Sequence, residues 1–255
     1  MRIKFLGAHM FESKDTRLSC ILLDGVMAID AGALTSGLSF TEQERVEHIL
    51  LTHGHYDHIR DVPSIALKNE HRTIHVYAIQ PALKVLTSHL INGTVYPKFT
   101  ERPSREKPAL KLHRLEPHRP VQIGQYSIMP VPVNHAVPSV GFVISDKRGK
   151  VIFYSGDTGP GLDACWEGVK PQVIIMDAAF SNKSRDLASG PGHLCPSLLG
   201  EELVRFKRLK RYLPTVILTH LNPAVESEVK EEARELVRQL GCKILLAYEG
   251  MEVFL

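Results

Sequence analysis

The segment HGHYDH (53–58) sets three histidines and an aspartate within six consecutive positions. It follows the apolar run Ile49-Leu50-Leu51, short enough for a strand buried on both faces. Imidazole and carboxylate are the ligands that borderline-soft divalent metals favour. His53 and His55 lie two apart and point the same way in an extended segment. Asp57 and His58 follow where the chain must turn. One loop can therefore feed two adjacent metals, His53 and His55 to one, Asp57 and His58 to the other. Solvent-exposed histidines would also satisfy the composition. Four ligand-type residues directly after a buried strand argue against that.

The elements that would position this loop read clearly near the N-terminus. RIKFLG (2–7), LSCILLDG (18–25) and VMAIDAG (26–32) are strand-like, the last two meeting at an Asp24-Gly25 turn. Thr41 and Glu44 match a capping box that opens a short helix to about His48. IHVYAI (74–79) is a further strand, and a helix is expected over 81–91. The stretch 93–120 is rich in proline and charge and reads as a long excursion. Strand signals return at 126–133, 140–146, 151–156 and 173–180. Amphipathic helices near 197–210 and 225–240 then alternate with TVILTH (215–220) and KILLAYEG (243–250). This order fits two sheets sandwiched between helices.

The bulk composition excludes several classes. A chain of 255 residues with 44% hydrophobic and 23% charged residues can bury a sizeable core. A net charge of +3 is too weak to argue for a nucleic-acid or membrane partner. No run approaches a membrane span, and the start lacks the apolar core of a signal peptide. Four scattered cysteines form no CxxC pair and read as reduced thiols, so a cytoplasmic protein is expected.

HxHxDH after a strand resembles the signature of the metallo-β-lactamase fold, and further stretches match the rest of that series in order. AIDAG (28–32) resembles its first motif, which makes Asp30 the carboxylate that orients the metal loop. PVNHAVPSVGF supplies His135, FYSGDTGP supplies Asp157 as a bridge between metals, and VILTHLNP supplies His220. The resemblance implies one metal on His53, His55, His135 and Asp157, and a second on Asp57, His58, Asp157 and His220. It also implies two divalent ions, with zinc expected and manganese or iron able to take the same ligands. A hydroxide shared by such a pair is a nucleophile at neutral pH, and Asp57 is placed to orient it. That chemistry serves esters, thioesters, amides and phosphoesters alike.

SGPGHLCPSLLGEEL (189–203) resembles the extra histidine motif of the family's phosphodiesterase branch. There a histidine opens a helix near the metals and meets the scissile phosphate or protonates the leaving oxygen; His193 matches it, with Pro196 suited to the first helical turn. Asp177 stands where relatives often carry Glu. The transfer-RNA 3′-processing nucleases of that branch insert a long basic arm between the third ligand histidine and the bridging aspartate, and residues 136–156 leave room only for a hairpin. Hydrolysis of 3′,5′-cyclic nucleotides is therefore the favoured expectation. RNA 3′-processing and another ester or thioester hydrolysis are the alternatives.

Tyr96, Lys98 and Phe99, in the excursion, are candidate substrate contacts, because aromatic faces stack on bases while a lysine meets phosphate. Such residues more often anchor a loop or a subunit interface. RFKRLKR (205–211) reads as a solvated helix face. His9, His48, His71, His75, His89, His113 and His118 belong to none of the motifs, and His9 is the one placed to approach the site. The whole expectation is an α/β chain folded as an αββα metallo-β-lactamase sandwich, two mixed β-sheets flanked by helices. It would form a single domain over 1–255 with an excursion at about 93–120, free of membrane contact, in a family where homodimers are common.

Overall fold

The computed structural model describes residues 1–255. Its contacts divide the chain into two compact units, residues 1–8, 12–116 and 248–255 in one, residues 9–11 and 117–247 in the other. Each unit is built on one seven-stranded mixed sheet with flanking helices, the architecture expected from the sequence. No helix is long and apolar enough to cross a membrane.

The first sheet contains β1 (Arg2–Gly7), β2 (Cys20–Leu23), β3 (Met27–Ile29), β4 (His48–Leu51), β5 (Ile74–Ala78) and β6 (Leu110–Arg114), edged beside β1 by the last strand of the chain, Glu252–Phe254. Strands β1 to β3 run as an antiparallel meander, and β3 to β6 are parallel. Asp24 and Gly25 both have positive φ, 46° and 78°, at the centre of a tight turn that Val26 N closes by donating to Leu23 O at 3.0 Å. Helices α1 (Phe40–Gln43), α2 (Tyr56–Ile59), α3 (Val62–Lys68) and α4 (Gln80–Val85) fill the crossovers, α4 continuing into a π-helical turn, Leu86–Leu90. The capping box sits two residues before its expected place: Ser39 caps α1 and Glu42 reciprocates. Ser39 and Glu42 have the same spacing as Thr41 and Glu44, and Glu42 alone reaches back to its cap.

The second sheet contains β7 (Val121–Ile123), β8 (Tyr126–Pro132), β9 (Val140–Asp146), β10 (Val151–Tyr154), β11 (Val173–Asp177), β12 (Thr215–Thr219) and β13 (Ile244–Leu246). It repeats the plan of the first: β7 to β10 are antiparallel, β10 to β13 parallel. Helices α5 (Asp163–Glu167), α6 (Arg185–Ser189), α7 (Pro196–Lys210) and α8 (Glu226–Leu240) complete it. Trp166 of α5 is fully buried between Phe153 of β10 and Phe206 of α7, both rings edge-on at 5.2 Å. Phe206 thus anchors the basic run of α7, whose Lys207 and Arg208 face solvent.

Three strands were hidden in the sequence, among them the short β7 (Val121–Ile123). LKLHR lies inside the proline-rich excursion, yet forms β6 by parallel pairing with β5. The terminal strand is three residues long and carries no periodicity.

Candidate metal centre

In open sheets with parallel strands, ligands gather beyond the carboxyl ends of those strands. The two units obey this separately. In the first, Asp30 follows β3, and Thr52 to His58 follow β4. In the second, His135 follows β8, Asp157 follows β10, Asp177 ends β11 and His220 follows β12.

Asp30 is the hub of the first set. It is fully buried, sits at φ 56°, and donates its own N–H to Leu50 O at 2.8 Å. A non-glycine residue in that region is strained and persists only when its surroundings over-determine it. Asp30 Oδ1 accepts from Thr52 N at 2.9 Å, and both its oxygens accept from the Thr52 hydroxyl at 3.0 Å. With that proton committed, Thr52 Oγ1 is the acceptor for His53 Nδ1–H at 2.9 Å. His58 Nδ1 donates to Asp30 Oδ2 at 2.8 Å. One carboxylate therefore fixes the tautomer of two histidines and leaves Nε2 of each as a lone-pair donor. Nε2 of His58 lies 3.3 Å from Asp57 Oδ2, and the His53 ring is 4.7 Å from His55 and 4.2 Å from His58. Gly32 makes the approach of this loop possible, since a Cβ there would lie 2.0 Å from Asp57 O.

The second set is assembled the same way. His135 Nδ1 donates to Gly192 O at 3.0 Å, which again leaves Nε2 as the donor. Asp157 Oδ2 lies 3.8 Å from His135 Nε2 and 3.3 Å from His220 Nε2. His220 is at φ 57°, a second strained non-glycine residue. Gly192 has φ +79°, and a Cβ on it would lie 2.6 Å from His135 Cα. His193, next in the chain, is buried and donates Nδ1–H to Asp177 Oδ2 at 2.6 Å. Its ring stacks on His220, 5.5 Å away and 8° from parallel, and meets His135 edge-on at 5.1 Å. Asp177 also accepts from Ala179 N at 2.9 Å and Thr158 N at 3.3 Å, tying the loop after Asp157 to the end of β11.

Both donor sets suit a borderline divalent ion: neutral imidazoles with Nδ1 committed, together with carboxylates, are what such ions bind. His53, His55, Asp57 and His58 of the first unit and His135, Asp157 and His220 of the second are the candidate metal-binding groups.

Sequence reasoning had not identified Glu202. Its fully buried carboxylate, on α7, accepts from Gly161 N at 2.8 Å and Leu162 N at 3.3 Å, in the loop that follows Asp157, and from Arg205 at 2.6 Å. A glutamate within an amphipathic helix carries no sequence signal of such a role. His9 is buried against Glu226 at the start of α8, at 3.2 Å, and its segment bridges Leu221, the neighbour of His220. The excursion residues require a correction. Phe99 is fully buried, so no face is open to a base, and its carbonyl pairs with Leu110 N. Tyr96 bonds through its hydroxyl to Ser64 Oγ of α3 at 3.2 Å, whereas Lys98 is exposed. These aromatics anchor the excursion.

The Beta-lactamase superfamily domain model matches residues 21–221, and the chain belongs to that family, whose members share the metallo-β-lactamase fold and are hydrolases. The chain is 25% identical over 220 residues to the 3′,5′-cyclic-nucleotide phosphodiesterase of Aliivibrio fischeri, with 69% of this chain and 64% of that protein aligned. It is 25% identical over 270 residues to Ribonuclease Z of Thermoplasma acidophilum, covering 85% of this chain and 82% of that one. Among solved structures, unliganded yeast PDE1 superposes with a TM-score of 0.87 at 20% identity, over 100% of this chain and 99% of that one. The chain spans less than two thirds of the length of the first curated relatives it matches.

Proposed function

We propose that the chain is a dinuclear metal-dependent phosphodiesterase that hydrolyses 3′,5′-cyclic nucleotides. The observation that carries this reading is His193, seated on Asp177 and stacked on the candidate ligand His220. A hydrolase acting on a carbonyl carbon has less need of a second, carboxylate-held imidazole beside its ligands. A phosphodiesterase must protonate an alkoxide as it leaves. With Nδ1–H committed to Asp177, Nε2 of His193 is the atom that passes a proton to the departing ribose oxygen.

In this reading His53, His55, His135 and Asp157 would hold one ion, and Asp57, His58, Asp157 and His220 would hold the other. Bound there, two divalent ions, zinc being the ordinary choice for such donors, supply Lewis acidity toward phosphoryl oxygens and a water acidic enough to attack near pH 7. Asp57 accepts a hydrogen bond from the attacking water and aims it. Asp30 and Gly192 O fix the rings of His58 and His135 through Nδ1, so that Nε2 of each would be the atom offered to an ion. The named activities of the relatives support a phosphodiester substrate, and the short 136–156 segment, filled by the β9–β10 hairpin, favours a small one over a precursor RNA.

The experiment is a substrate panel on the purified, metal-analysed protein: cyclic mononucleotides, cyclic dinucleotides, a generic phosphodiester and precursor transfer RNA. Chelation should abolish turnover of cyclic mononucleotides, and added zinc or manganese should restore it. Intact cyclic mononucleotides beside cleaved precursor RNA, with a steep salt dependence, would instead select the RNA-processing reading.

A further inference from the structure

Three histidines that belong to no motif meet on one half-buried face of the first sheet. His48 of β4 is in register with His75 of β5, and Tyr77 of β5 with His113 of β6. In-register neighbours share a face of a sheet. The rings lie 5.8 Å apart for His48 and His75, 5.0 Å for His75 and His113, and 4.5 Å for Tyr77 and His113. Nδ1 of His75 and Nε2 of His113 share a hydrogen bond of 2.8 Å, which an ion between them would replace. Nδ1 of His48 is buried and has no hydrogen-bond partner.

We propose that His75 and His113, facing each other across β5 and β6, form an accessory site for a borderline divalent transition-metal ion such as Zn²⁺ or Ni²⁺. Imidazole is the preferred ligand of these ions, and cis nitrogens around a tetrahedral zinc at about 2.0–2.1 Å stand roughly 3.3 Å apart. Opening the His75–His113 contact by roughly half an ångström seats the ion between them. Burial holds all three rings below the ordinary imidazole range, so each is in the neutral, ligand-competent form near pH 7. The charged neighbours are balanced, Lys111 on β6 against Glu47 beside His48, so neither sign dominates the face. Without an ion the pair is held by that one hydrogen bond, while the buried Nδ1 of His48 beside it carries a desolvation penalty. An ion bridging β5 and β6 would clamp the strand that follows the excursion.

The test compares the zinc content of the native protein with that of the single variants His75→Gln and His113→Gln after dialysis against buffered zinc. The native chain is expected to hold one zinc ion more than either variant, with the turnover of cyclic nucleotides unchanged in both. Because the comparison counts a difference of one, it stands whether or not the catalytic reading does. If the variants fold poorly, zinc titration of the native protein followed by imidazole ¹⁵N resonances decides: shifts at His75 and His113 support the site. Equal zinc content in folded variants, or unmoved resonances, overturns it.

Discussion

His193 and Asp177 are joined at 2.6 Å between imidazole Nδ1 and carboxylate Oδ2, with both residues buried. The bond fixes the ring plane that stacks on His220. If Nε2 of His193 is the proton donor to the leaving oxygen, His193→Ala should lower kcat by about 10²–10⁴-fold. Metal content should stay at the native value, since His193 is outside both donor sets. Kinetics paired with elemental analysis checks this; an unchanged kcat would remove His193 from the mechanism.

Asp30 holds two histidines at once, His58 directly and His53 through Thr52. Asp30→Ala should weaken metal binding by roughly 10–100-fold, as loss of an outer hydrogen-bonding carboxylate commonly does. Titration with a competing chelator measures it. A variant with native affinity would show that the histidines orient themselves without the carboxylate.

Gly192→Ala should destabilise the protein by about 1–3 kcal/mol, because it combines a positive φ with a Cβ 2.6 Å from His135 Cα. Gly168→Ala is the control, for a Cβ there meets nothing within 4 Å. Urea denaturation of the two variants compares them directly. Equal midpoints would mean that the His135 loop yields easily.

The accessory histidines give a pH dependence of defined sign. Burial is the largest cause that pushes His48, His75 and His113 below the ordinary imidazole range; His75 repels a charge on His48 and His113, and Lys111 repels one on His75 and His113. Glu47 opposes the shift at His48 and His75, and Tyr77 is the uncharged neighbour. The unfolded chain therefore binds protons more readily than the folded one. Stability should be full above about pH 6.5 and fall as pH drops from there through the lower folded-state values. Urea midpoints between pH 7.5 and 5.5 should show a steeper decline for the native protein than for a variant with all three changed to Gln. Identical slopes would count against the burial argument.

The ligand loops were legible because each combines a rare residue type with an apolar strand just before it. HGHYDH, AIDAG and FYSGDTG all have that form, and the strands β3, β4 and β10 stand where it places them. What escaped notice depends on partners far away in sequence. β6 exists because β5 offers it a parallel edge, and nothing within LKLHR announces that. Phe99 looked like a stacking platform because an aromatic beside a lysine does, and only the tertiary fold reveals that its ring is buried. The accessory histidines were scattered over the sequence at 48, 75 and 113, and strand register alone gathers them.

Glu202 gives α7 a second duty. The helix begins just after His193, and from its second turn Glu202 holds the backbone of Gly161 and Leu162, downstream of Asp157. A helix of fifteen residues moves as a rod. α7 therefore joins the His193 segment to the loop after Asp157 through one element. A contact at the exposed basic end of that helix would bear on both segments in step.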